Sequence, residues 1–185
     1  MKNILKFTAI LLILAGSFSC GEEEKRGIAI SPLQDIIFER YYINYAWGYS
    51  HSGFMIDKNG LIHVYSQHEI IYSNNNWNFP DDNGYITEEN MKENLENTTI
   101  AKACINITEL HKYAELIALV KENDYSEQQQ GADMGAVVNI CYLYNDKTHT
   151  YKHIVLSAHG DWTRINNNPV AKIIDNWLNT IRIEE

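Results

Sequence analysis

Strand-like and helix-like hydrophobic periods alternate along this chain, and their order predicts an architecture. Residues 36–45, IIFERYYINY, are dense in β-branched and aromatic side chains, which suit a pleated, half-buried surface. Just before them, Ser31-Pro32-Leu33-Gln34 has the form of a capping box with proline in the first helical position. Two readings therefore compete over residues 32–45, and composition favours the strand. SGFMID and LIHVYS flank Lys58-Asn59-Gly60, and Asn-Gly between apolar runs is a strong hairpin signal. A two-residue Asn59-Gly60 loop would set His51 opposite His68 and His63 opposite Ile56. The Asn, Asp and Pro content of residues 73–83 marks a loop. Thr87 followed by Glu88 and Glu89 predicts a short capped helix with acids in its first turn. For residues 98–106, TTIAKACIN, a strand and a helix extension fit equally.

The second half has the same order. TELHKYAELIALVKEN predicts a helix over 108–123 with Leu110, Tyr113, Ile117 and Val120 on one face. AVVNICYLYNDKTHTYKHIVLSA reads as a second hairpin. A three-residue loop, Asp146-Lys147-Thr148, would pair Val138 with Leu156 and Ile140 with Ile154 on a single apolar face. NNPVAKIIDNWLNTI predicts a helix capped by Asn168 and opened by Pro169, with Val170, Ile173, Ile174, Trp177, Leu178 and Ile181 on one stripe. Hairpin, helix, hairpin, helix gives an α+β fold: an antiparallel sheet built from two hairpins with helices packed on one face.

The N-terminus breaks this pattern. MKNILKFTAILLILAGSFSCGEEEK has a basic start at Lys2 and Lys6, and an apolar run too short to span a bilayer. Ser17-Phe18-Ser19-Cys20 resembles the lipobox of bacterial lipoproteins, although Ser17 stands where leucine is usual. The resemblance implies a signal peptide over residues 1–19, lipidation at Cys20, an acidic tether over 20–30 and one domain over 31–185. Glu22-Glu23-Glu24 resembles the sorting tags of Bacteroidetes surface lipoproteins, which implies an outer-membrane, surface-facing protein held in the membrane by its lipid. HKYAELIALVKENDYSE, GADMG, GDW and NNPVAKIIDNWL together resemble a family of uncharacterised exported bacterial proteins. That likeness supports the domain and implies no activity.

Charge narrows the partners. Without residues 1–19 the chain keeps 13 basic and 24 acidic residues, a net charge of −11. Nucleic acid is excluded as a partner, because its binding rests on neutralising phosphates. Cys104 and Cys141 remain as an even pair once Cys20 is lipidated, and an oxidising envelope makes a Cys104–Cys141 disulfide a candidate.

Three constellations carry candidate chemistry. Extending the second hairpin's register brings Asp133 opposite Asp161 and Gly135 opposite His159, a rim able to hold calcium through oxygens or to act as an acid–base pair. Turn hydrogen bonds by the two aspartates are the alternative. His51 and His68 would form a cross-strand imidazole pair without a third metal ligand. Tyr45, Trp47 and Trp77, amid further tyrosines and asparagines, would suit a ligand platform, although strand alternation favours a packed core for this face. G-x-S-x-G, phosphate-loop, H-E-x-x-H and C-x-x-C motifs are absent. The expected function is a lipid-anchored binding or assembly module contacting an envelope protein, glycan or peptide. A hydrolase using the Asp133, His159 and Asp161 rim and a cation-dependent glycan or peptide binder are the alternatives.

Overall fold

The computed structural model describes residues 31–46, 48–68 and 77–183. The expected signal peptide, tether and Cys20, together with Trp47, lie outside them. In chain order the elements are β1 (Ile36–Asn44), β2 (Ser50–Asp57), β3 (Leu61–His68), β4 (Tyr85–Thr87) and α1 (Glu88–Glu96). They continue with β5 (Thr99–Cys104), α2 (Ile107–Ala114), β6 (Gln129–Gln130), β7 (Ala136–Asn145), β8 (Thr150–Gly160), β9 (Trp162–Ile165) and α3 (Pro169–Leu178). The strands form a nine-stranded sheet in the order β5-β3-β2-β1-β7-β8-β9-β6, with β4 attached to β8. Every pairing between these strands is antiparallel. This is an α+β fold. Among the described residues no helix is long and apolar enough to cross a membrane.

Both faces of the sheet are buried, so the expectation of helices on one face is corrected. On one face Phe38, Phe54, Ile56, Cys141 and Ile154 pack with Leu110 of α2 and Ile174, Trp177 and Leu178 of α3. On the other, Met55, Tyr65, Val138, Ile140 and Tyr142 pack with Trp77, Ile86 and Met91 of α1. Strand β1 explains why its sequence looked ambiguous. It is a central strand, paired with both β2 and β7, so its apolar residues run on instead of alternating. Residues 98–106 resolve mainly as β5, an edge strand with Ile100 61% exposed.

The helices start where their caps dictate. Thr87 accepts from the Asn90 N–H, and Asn168 accepts from the Val170 and Ala171 N–H groups, with Pro169 first in α3. The expected helix over 108–123 is shorter. Asn106 caps it, it ends at Ala114, and a 3-10 turn over Ile117–Leu119 follows. Leu110 and Ile117 are buried as their spacing predicted, whereas Ile173 of α3 is half exposed.

Both hairpin registers differ from expectation. Asp57 accepts the N–H groups of Asn59 and Leu61 through one carboxylate oxygen, and Gly60 takes φ +80°, so the β2–β3 loop holds three residues. A side chain at Gly60 would also strike the Ile105 carbonyl, 2.4 Å from an ideal Cβ. His51 therefore faces Gln67 and His63 faces Met55; the His51–His68 pair does not form. In the β7–β8 hairpin Asn145 pairs with Thr150, which makes a four-residue loop with His149 at φ +52°. A bulge then shifts the pairing, so Ile140 meets Val155 and Val138 meets Ala158. Matching apolar residues on one face could not fix this register, because both faces are apolar.

The same strand order rules out the Cys104–Cys141 disulfide. Strands β5 and β7 are four places apart, roughly 19 Å at about 4.8 Å per strand. A disulfide needs Cα atoms within about 7 Å. Cys141 is a buried free thiol.

Candidate functional site

The glycine-rich rim is built as a turn. His159 pairs with Val137, and Gly160 pairs with Ala136, so Gly135 and His159 are not opposed. The backbones approach so closely here that a Cβ on Gly160 would lie 1.9 Å from the Gly135 carbonyl oxygen. Asp161 uses both carboxylate oxygens on this turn: Oδ1 accepts the Met134 N–H at 2.6 Å and Oδ2 the Gly135 N–H at 2.8 Å. Asp133 is exposed at φ +60°, a conformation aspartate tolerates in turns. Among the described residues no three His, Cys, Asp or Glu side chains are grouped to hold a metal ion. Asp133, His159 and Asp161 do not form a three-ligand metal group among the described residues, and turn hydrogen bonding accounts for Asp161. Asp161→Ala is expected to cost about 2 kcal/mol in urea unfolding, unchanged by EDTA, since it strips a charged acceptor from two N–H groups. A loss that appears only when calcium is present would restore the cation reading.

The aromatic cluster is assembled, and His51 is its centre. The imidazole is fully buried on β2. Around it lie the rings of Tyr41 at 5.1 Å, Tyr65 at 5.0 Å, Trp77 at 5.2 Å, Phe79 at 5.1 Å and Tyr49 at 6.3 Å between centroids. Alternation along the strands places Tyr41, His51 and Tyr65 on one sheet face, and Tyr49, just before β2, lies against His51. The layer is graded from core to solvent. Trp77 is buried, Phe79 is 39% exposed, and Tyr45, in contact with Tyr49, is 61% exposed.

Beneath the rings sits a buried acid. Glu39 of β1 points into the same face and is 3% exposed. Tyr65 and Tyr142 each donate a hydrogen bond to one of its carboxylate oxygens. The Tyr65 hydroxyl also lies 3.4 Å from His51 Nε2, which completes a relay from His51 through Tyr65 to Glu39 and Tyr142. Burial raises the Glu39 pKa to about 7 despite the two tyrosine hydrogen bonds, which act in the opposite direction. Burial likewise lowers His51 to about 4. It holds both tyrosine hydroxyls well above their ordinary range, with the Glu39 charge adding to the effect. Among the described residues, His51 Nδ1 and Gln67 Oε1 in this layer lack hydrogen-bond partners. Each such orphan costs about 1–3 kcal/mol.

Of the residues singled out in the sequence, Tyr45, Trp77 and His51 belong to this layer, His51 without the expected His68 partner. Glu39, His51, Gln67 and Tyr142 were missed as a group, because they come from four strands. A weak signal existed in Glu39 itself, a lone acid within IIFERYY on a strand otherwise fit for burial. An apolar groove of about 690 Å³ lies nearby, between β3, the β5 edge and Ile183, with Phe54, Val64 and Ile100 in its lining. No family model, no curated protein and no solved structure matches the chain.

Proposed function

We propose that this is a lipid-anchored cell-envelope protein whose domain works by binding, with the Tyr45, Phe79 and Tyr49 surface as its contact. The single observation that carries this reading is that the aromatic layer over His51 rises to solvent through Tyr45 and Phe79. Exposed aromatic surface of this kind is characteristic of contact sites, where rings supply area at low entropy cost. Catalysis is less well supported: His51 and Glu39 lie under the rings, and the Asp161 carboxylate is committed to backbone.

The partner favoured by charge is a cationic peptide segment of another envelope protein. The excess of acids over bases outside residues 1–19 steers cations toward this surface and disfavours anionic glycans. The lipid at Cys20 supplies the anchor and Glu22-Glu23-Glu24 the outward address, on the strength of the lipobox resemblance. Full-length protein in detergent micelles is expected to bind basic peptides in preference to acidic ones of equal length, measured by fluorescence anisotropy. Tyr45→Ala with Phe79→Ala should weaken that binding at least tenfold while leaving the melting temperature nearly unchanged. Equal binding by the variant, or by acidic peptides, would overturn the reading.

A further inference from the structure

The two orphaned atoms of the aromatic layer belong to directly opposed residues. His51 on β2 pairs with Gln67 on β3, so their side chains rise side by side from one face. His51 is fully buried, and its Nδ1 has no partner; nor has Gln67 Oε1. A carbonyl oxygen can only accept, so Gln67 Oε1 calls for a donor.

What His51 Nδ1 calls for follows from donor counting along the relay. An ionised Glu39 only accepts, so Tyr65 and Tyr142 each give it their single proton. The Tyr65 oxygen can then only accept from His51, which puts the imidazole proton on Nε2 and leaves Nδ1 bare. Nδ1 and Gln67 Oε1 are then two adjacent acceptors. Around them stand the π faces of Tyr41, Tyr49, Trp77 and Phe79, with a carboxylate one hydroxyl away. Acceptors, aromatic faces and a nearby negative charge are together the chemistry that holds an ammonium ion.

We propose that the position between His51 Nδ1 and Gln67 Oε1 binds a primary ammonium group, the side-chain end of a lysine on the bound peptide. This rests on the binding role assigned to the aromatic surface and names what its deepest position takes. Phe79 and Tyr45 are the exposed rings at the outer edge of the layer that covers it.

Protonation of Glu39 closes the site. The Glu39 hydroxyl then donates to Tyr65, Tyr65 donates to His51 Nε2, and the imidazole proton moves to Nδ1. A proton on Nδ1 turns that atom from acceptor to donor, so His51 no longer offers an acceptor to an amine. The titratable side chains facing this layer are Tyr41 from β1, Tyr45 and Tyr49 from the β1–β2 connection, His51 from β2, Tyr65 from β3 and Tyr142 from β7. His63, held by Asp57, and His153, beside Tyr142, lie further along the same face. The carboxyl of Glu39 titrates near pH 7 under its burial, so the site opens above neutrality and shuts below it.

The test is calorimetric titration of full-length protein in micelles with n-butylammonium chloride, a lysine side-chain analogue, at pH 8.5 and pH 6. Binding is expected at pH 8.5 and at least tenfold weaker at pH 6. Tetramethylammonium, which has no N–H donors, should bind at least tenfold more weakly at pH 8.5. Gln67→Leu should weaken n-butylammonium at least tenfold, and Glu39→Gln should make its residual binding insensitive to pH. Absence of n-butylammonium binding at pH 8.5 would overturn the proposal. So would equal binding of tetramethylammonium, or unchanged binding in Gln67→Leu. If n-butylammonium fails while Tyr45→Ala with Phe79→Ala still weakens basic peptides, the ammonium site falls and the aromatic contact surface stands. If both fail, both fall.

Discussion

Trp177→Ala is expected to destabilise the domain by about 3–5 kcal/mol, the range for truncating a buried tryptophan. Trp177 is 4% exposed and joins three elements. Its ring meets Phe38 of β1 edge-on at 5.0 Å and stacks on Tyr113 of α2 at 4.3 Å, with 12° between planes. Its indole N–H donates to Glu109 at 2.8 Å. Alanine removes the packing that holds α3 and α2 to the sheet and leaves a cavity beneath both. Trp177→Phe keeps most of the volume and loses the hydrogen bond and part of the stack, so about 1–2 kcal/mol is expected. Urea unfolding of both variants decides the matter. For a domain of this size the alanine variant should melt roughly 10 °C lower. Equal losses in the two variants would mean that the hydrogen bond to Glu109, and not the packing, fixes α3.

The readable parts of this fold are those governed by neighbours in sequence. Asn168-Pro169 opens α3 because an asparagine cap and a first-turn proline act within four residues, and Thr87 opens α1 for the same reason. Both hairpins exist where apolar runs flank turn residues. Their registers were not readable. The Asp57 side chain, by taking two N–H groups, turned an apparent Asn-Gly loop into a longer one, and that moved His51 from His68 to Gln67. In β7–β8 the bulge lets Leu156 enter the helix-covered core while Ser157 reaches Asp175 on α3. Nothing local to the hairpin announces that contact. The candidate site suffered most from this. Glu39, His51 and Tyr142 are brought together only by the order β2-β1-β7, a long-range pairing with no trace in the spacing of the residues.

The contribution of Glu39 to stability is expected to fall as pH rises from about 4.5 to 7, and Glu39→Gln should abolish that contribution. The Glu39 pKa stands near 7 in the folded protein against 4.5 for an ordinary glutamate. Between those values the folded state binds the proton that the unfolded state has released. The contribution is therefore complete below pH 4.5 and lost as pH rises through 7, about 3 kcal/mol in all. His51 and His153 act in the opposite sense. Burial lowers both from 6.5 to about 4, so the stability they confer is complete above pH 6.5 and lost as pH falls through 4. The limbs overlap, and two histidines gain while one carboxyl loses, so the wild-type protein should be most stable near pH 6.5, where the histidine gain ends and the carboxyl loss continues. Glutamine at position 39 removes only the carboxyl limb. It still offers one acceptor to Tyr65 or Tyr142 but forces the other hydroxyl to find a new acceptor, at a cost of about 1–2 kcal/mol. Wild type should thus be the more stable at pH 5 and the variant the more stable at pH 8.5, a crossing that urea midpoints at the two pH values measure directly. Parallel pH curves would show instead that Glu39 stays ionised in the core, its charge carried by the two tyrosine hydroxyls alone.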